Sequence, residues 1–200
     1  MAGLTAESDS ESMILPPPAA QTDFRRPGVV YGEPRPCNLG RARIEELAEL
    51  IRGQLSLPVG ANIHEVVRGR LHGRIHYRGL DEWDWSAATG SVYIHGTMDF
   101  DLVLPNHTSP ARDRFTIAHE LGHYFLHSAQ GRTPIVARRN GSGTAETEAN
   151  YFAAALLMPE GEVKKVWAAT PAIEAVAATC AVSFDAAEVR LAVLKLQRND

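Results

Sequence analysis

The sequence predicts an α+β fold, with a small antiparallel sheet packed on a mainly helical core. Two changes of periodicity carry this reading. Apolar residues recur at helical spacing from Ile44 to Val67, at a period of two over roughly 74–104, and at helical spacing again after Pro105. A third observation is composition: 200 residues, 44% hydrophobic and 22% charged, fit a globular chain and exclude a wholly disordered or collagen-like one.

The first helix rests on Ile44, Leu47, Ala48, Ile51 and Leu55, with Glu45, Glu46 and Glu49 opposite. Asn62 followed by Glu65 opens a second, shorter one with Ile63, Val66 and Val67 as its apolar face. Strands follow. Ile75 and Tyr77 alternate with His76 and Arg78; Val92 and Ile94 with Tyr93 and His95; Phe100, Leu102 and Leu104 with Asp101 and Val103. Gly79, Gly90 and Gly96 break them. Ser109 before Pro110 is an N-cap and first-turn pair for a buried helix carrying Phe115, Ala118, Leu121, Gly122 and Phe125. The chain then reads as helical to its end: a loop at Arg139–Gly143, a helix from about Thr144 to Met158 stopped by Pro159, short helices near 160–168 and 171–179, and a last one from Ser183.

Residues 1–37 read as an acidic, proline-rich, disordered leader, and residues 38–200 as the folded domain. Pro16, Pro17, Pro18, Pro27, Pro34 and Pro36 oppose helix and central strand. Glu7, Asp9, Glu11 and Asp23 precede the first basic residue, Arg25, so the rest of the chain is near neutral against a net charge of -4. A chain starting near Asn38 is therefore expected to fold alone. Near-neutrality and the absence of a basic stripe argue against direct nucleic-acid binding. The longest apolar run, Tyr151–Met158, is too short to span a membrane. The start lacks a basic and apolar leader, and Cys37 and Cys180 form no metal-type or disulfide pattern, so a cytoplasmic address is expected.

The chemistry concentrates in His119-Glu120-Leu121-Gly122-His123. Residues four apart on a helix share a face, so both imidazoles can reach one Zn²⁺. Glu120 flanks the same cleft without being forced onto the metal, which suits a general base acting on water that the metal activates. The plainer alternative is a pair of core histidines beside a surface glutamate. Gly122 leaves room for another backbone or the ion to approach. A catalytic zinc needs a third protein ligand. Downstream lies Glu146-Thr147-Glu148-Ala149-Asn150, where Glu146 and Glu148 face about 200° apart on an ideal helix. Periodicity alone does not decide between them. Chemistry favours Glu146, because Asn150, one turn on, can then accept a hydrogen bond from the other nitrogen of His119. An acidic first turn matching the helix dipole is the alternative for both glutamates. His127 reads as a helix-end histidine, since another ligand would close the open position. Arg112 and Arg114 read as members of structural ion pairs, and Cys180 as a small buried apolar residue.

Two long stretches, Arg114–His127 and Glu146–Pro159, resemble the ImmA/IrrE family of zinc metallopeptidases. The order of leading helices, small sheet, H-E-x-x-H helix, E-x-x-A-N helix and closing helix is similar as well, over about residues 40–197. The resemblance implies a zincin-like, gluzincin-type fold with Glu146 as third ligand, and it places Asn150 where gluzincins often have aspartate. It also implies a regulatory, cytosolic zinc endopeptidase, with Mn²⁺ as a possible substitute, that cleaves a helix-turn-helix repressor or antitoxin-like partner. A competing reading is a non-catalytic, metal-containing protein that grips such a repressor. A peptide substrate is expected to pair as an extended strand with an edge of the sheet at 74–104.

Overall fold

The computed structural model describes residues 23–78, 90–138 and 143–196. Within them lie α1 (Arg41–Gln54), α2 (Ile63–Gly69), β1 (Arg74–Arg78), β2 (Ser91–Gly96), β3 (Asp99–Pro105), α3 (Pro110–Gly122), a π-helical turn (His123–His127), β4 (Ile135–Arg138), α4 (Thr144–Leu157), α5 (Glu160–Ala169), α6 (Ile173–Cys180) and α7 (Phe184–Val193). The α+β class and the helices expected from periodicity are present. Their starts follow the local chemistry: the side chains of Asn62, Ser109 and Ser183 accept hydrogen bonds from the backbone N–H groups of His64, Arg112 and Ala186. The breaker Gly79, most of the loop at 139–143 and the leader residues 1–22 lie outside the described residues.

The sheet differs from expectation in two ways. It is mixed, not antiparallel: the strand order is β1-β3-β2-β4, and β1 pairs parallel to β3 with Ile75 opposite Leu102. It also holds a fourth strand, β4, where helix was expected, with Ile135 and Ala137 in the core. A four-residue apolar strand carries too little alternation to be told from a stretch of helix, and pairing order is a non-local property that alternation cannot report.

One face of the sheet, through Val92, Ile94, Phe100, Leu102, Leu104, Ile135 and Ala137, joins the helices in the main core. Within the helical layer α4 packs on both α1 and α3. At the α3–α4 crossing a Cβ on Gly122 would fall 2.9 Å from the Cα of Ala149, so the two backbones approach as closely as only glycine permits. The closing helix is held by Arg190, 2% exposed, which donates to both carboxylate oxygens of Glu45 on α1 and to the carbonyl of Met158 after α4.

The other face of the sheet is covered by the segment that carries Phe24 and Tyr31, and the chain from residue 23 to 38 forms a strap along the domain. The described part of the expected leader, residues 23–37, packs on the domain. Phe24 and Tyr31 cover Tyr93, Val103 and Val136. Gly32 forms a parallel bridge with Ile135, taking up part of the outer edge of β4. Arg26 pairs with Asp99. The Tyr31 hydroxyl lies 2.5 Å from Nδ1 of His95, whose Nε2 lies 2.7 Å from Asp101. Asp101 also accepts from Arg74 and from His76. This strap is fixed by buried polar groups and lone aromatics, not by the apolar periodicity that marks a core element.

Burial pushes the Asp101 carboxyl up, but hydrogen bonds from Arg74, His76 and His95 outweigh this and hold it well below the usual carboxylate range. A depressed native pKa contributes stability above the unfolded value of ~3.9 and loses it as pH falls through the native one. Asp101→Asn is therefore expected to cost on the order of 2 kcal/mol at pH 7. The gap between parent and variant should narrow steadily below about pH 4. Urea titrations at pH 7, 5 and 3 measure it, and a gap that stays constant with pH would show that the ionised carboxylate is not what matters.

Candidate metal centre

α3 delivers His119, and His123, one turn on, opens the π-helical turn that continues it; both are almost fully buried. α4 crosses beside them and delivers Glu146 from its first turn. Nε2 of His119 and Nε2 of His123 lie 3.2 Å apart, and the two oxygens of Glu146 lie 3.1 Å from the first and 3.2 Å from the second. Tetrahedral ligands at the ~2.0–2.1 Å bond lengths of zinc stand about 3.3 Å from one another. The three donors thus already have the spacing of a metal site.

The chemistry of the donors points the same way. Nδ1 of His119 lies 2.9 Å from Oδ1 of Asn150 and donates to it. Nε2 of His119 then carries a lone pair, and it faces a carboxylate that can only accept. Nδ1 of His123 is likewise engaged, 2.9 Å from Nδ1 of His127. With each ring neutral and its proton on Nδ1, three lone pairs converge on one point, an arrangement that a cation relieves. Burial pushes the Glu146 carboxyl up, yet a proton on the His119 or His123 ring beside it, standing where the ion would, outweighs this and holds it well below its ordinary value. It is ionised at neutral pH, as a ligand must be.

Glu148 points elsewhere, as the helical wheel requires. It accepts from Nε2 of His127 at 3.0 Å and from the backbone N–H groups of Cys37 and Asn38 at 2.9 Å each. Burial raises its pKa, but these donors, the Cys37 amide foremost, lower it by more. Burial also lowers the pKa of His127, which favours a neutral ring. Sequence reasoning took His127 for a helix-end residue. Its spacing of four from His123, repeating the spacing of His119 and His123, was the signal that it shares their face. Cys37, His127 and Glu148 form a second grouping of potential ligands, but the Glu148 oxygens and both His127 nitrogens already have protein partners.

Glu120, between the two histidines, is 1% exposed. A Cβ on Gly90 would fall 3.1 Å from its Oε1 and 2.3 Å from a methyl carbon of Thr116, so the residue just before β2 presses its bare backbone against the glutamate. Arg114 departs from expectation. Among the described residues it joins no ion pair and donates instead to the carbonyl of Ala61, while Asp113 accepts from Thr108.

A two-histidine, one-carboxylate cluster on crossed helices, set against a small mixed sheet, defines a candidate metallohydrolase scaffold. Residues 88–192, just over half of the chain, match the sequence profile of the peptidase M78 family, described as the IrrE N-terminal-like domain, and the chain belongs to that family. No curated protein matches. Among solved structures, a Mycobacterium tuberculosis transcriptional regulator is similar in fold, with a TM-score of 0.54 at 17% identity over 76% of this chain and 46% of that one. The chain thus spans less than half the length of that regulator. Among the described residues no helix is long and apolar enough to cross a membrane.

Two outcomes test the site. Glu146→Ala should lose more zinc affinity than the ~10–100-fold that outer partners typically control, and Asn150→Ala should lose about that much, both read by competition with a chromophoric chelator. Parent-like affinity in Glu146→Ala would remove it from the ligand set. Gly122→Ala should cost about 1–3 kcal/mol in urea unfolding, because its methyl overlaps the α4 backbone; an unchanged midpoint would show that the crossing tolerates a side chain.

Proposed function

We propose that the chain is a metal-dependent endopeptidase, with zinc as the metal and manganese as a possible substitute. The carrying observation is the convergence of His119, His123 and Glu146 with Glu120 on the same helical turn. His119, His123 and Glu146 would hold the ion, which supplies Lewis acidity and favours ionisation of water at neutral pH. Asn150 keeps the proton of His119 on Nδ1 and so leaves Nε2 available to the ion. Glu120 is the general base: its carboxylate takes a proton from the attacking water as oxygen adds to the scissile carbonyl. The same carboxyl then returns that proton to the departing amine nitrogen as the C–N bond breaks. Close contact with Gly90 and near-complete burial restrict the conformations open to the carboxylate.

The substrate we propose is a helix-turn-helix repressor or antitoxin-like protein, cleaved in the cytoplasm. The family membership and the resemblance of its two long motifs support this, as does the description of the M. tuberculosis protein of similar fold as a transcriptional regulator. A net charge of -4 speaks against the chain reading nucleic acid itself.

Glu120→Gln preserves shape and removes the proton acceptor. It should keep parent-like zinc affinity and lose at least ~100-fold in turnover, the lower range for a general base. The assay is mass spectrometry of fragments after incubation with the repressor encoded nearest the gene. If Glu120→Gln still relieves the repressor's operator binding and leaves it uncut, the chain acts by binding and not by hydrolysis.

A further inference from the structure

The strap over the sheet and the metal centre are joined by a continuous line of hydrogen bonds. It runs from the backbone N–H groups of Cys37 and Asn38 to Glu148, from Glu148 to Nε2 of His127, and from Nδ1 of His127 to Nδ1 of His123. Every link is 2.9–3.0 Å long. The side chains of His123, His127 and Glu148 are nearly fully buried, so no water substitutes for a missing partner without cost.

The donors and acceptors along this line have one consistent assignment. The Glu148 carboxylate only accepts. Nε2 of His127 must therefore carry a proton and donate to it. An ion on Nε2 of His123 leaves the proton of that ring on Nδ1, which donates it to Nδ1 of His127. That fixes the tautomer of His123, with the lone pair on Nε2, beside Nε2 of His119 and the carboxylate of Glu146. Each histidine of the pair is thus set by a different device: His119 by Asn150 on α4, and His123 by a line that ends in the strap. The π-helical turn ends at His127, opposite Glu148. A second metal on Cys37, His127 and Glu148 would have to break this line, because it needs the atoms that form it.

We infer that His127 and Glu148 are positioning residues that tie the docking of residues 23–38 to the metal affinity of His123. The inference rests on the proposed ligand set. Coupling of this kind is reciprocal: metal on His123 must stabilise the docked strap by the same factor by which the docked strap favours the metal. The occupant of the centre and the N-terminal segment would then report on one another.

The test uses the full chain, with zinc alone as the probe. Chelator competition gives the affinity of the parent, His127→Phe, His127→Gln and Glu148→Ala. Hydrogen exchange of residues 23–38 is followed with and without zinc. Parent zinc binding that Glu146→Ala abolishes establishes the ligand set by itself, and parent chain that fails to bind zinc overturns that reading, and the coupling with it. Given binding, His127→Phe and Glu148→Ala should each weaken it ~10–100-fold. His127→Gln, whose amide can still accept from His123 and donate to Glu148, should recover part of the loss. Zinc should slow exchange at Cys37 and Asn38 in the parent and not in His127→Phe. Folded His127→Phe and Glu148→Ala with affinities within twofold of the parent, or strap exchange that ignores zinc, would overturn the coupling.

Discussion

Gly122 meets Ala149 with nothing larger than the alanine methyl at the contact, and the separation of α3 from α4 follows from that contact. Ligand geometry is a matter of tenths of an ångström, whereas apolar packing between ordinary side chains sets helix axes at 8–10 Å with wide scatter. A contact limited by the backbone removes that scatter. Three residues before Gly122 and one after it stand the two histidines; three residues before Ala149 stands Glu146, and one after it Asn150. The donors and the outer partner of His119 are thus all within a turn of the crossing. The site inherits its precision from a place where nothing can be repacked.

Around this crossing the chain supports each side chain with a partner from a different element. Asn150 and His127 hold the far nitrogens of the two imidazoles. Glu148 and the strap hold His127. Gly90 confines Glu120. Arg190 ties α7 to α1 and to the end of α4, which fixes the helix that carries Glu146 at its opposite end. Buried polar groups are costly unless each is satisfied, so this concentration of histidines and carboxylates in a core is tolerable only because the partners are supplied in pairs.

What was legible in the sequence was local. Residues four apart gave the histidine pair. The choice of Glu146 over Glu148 needed the argument that His119 requires an outer partner, because both glutamates border the apolar stripe of α4. The caps at Asn62, Ser109 and Ser183 marked three helix starts to the residue. What was not legible depended on pairing across the chain. The parallel match of β1 to β3 leaves no trace in alternation, and β4 is too short to show its period. The strap holds through Phe24, Tyr31 and Arg26, single residues in a proline-rich stretch whose partners lie some 50–110 positions away. His127 was passed over because its role is set by Glu148, and that residue is itself set by backbone amides of the strap.

The central claim is that the converging lone pairs of His119, His123 and Glu146 form the metal centre, and that the neighbouring group of Cys37, His127 and Glu148 supports it without competing. Crystals grown with one equivalent of zinc, measured on both sides of the zinc absorption edge, decide this directly. One anomalous peak is expected, bounded by Nε2 of His119, Nε2 of His123 and the carboxylate of Glu146, with the line from His123 through His127 to Glu148 unbroken. A peak seated instead among Cys37, His127 and Glu148 would contradict the account.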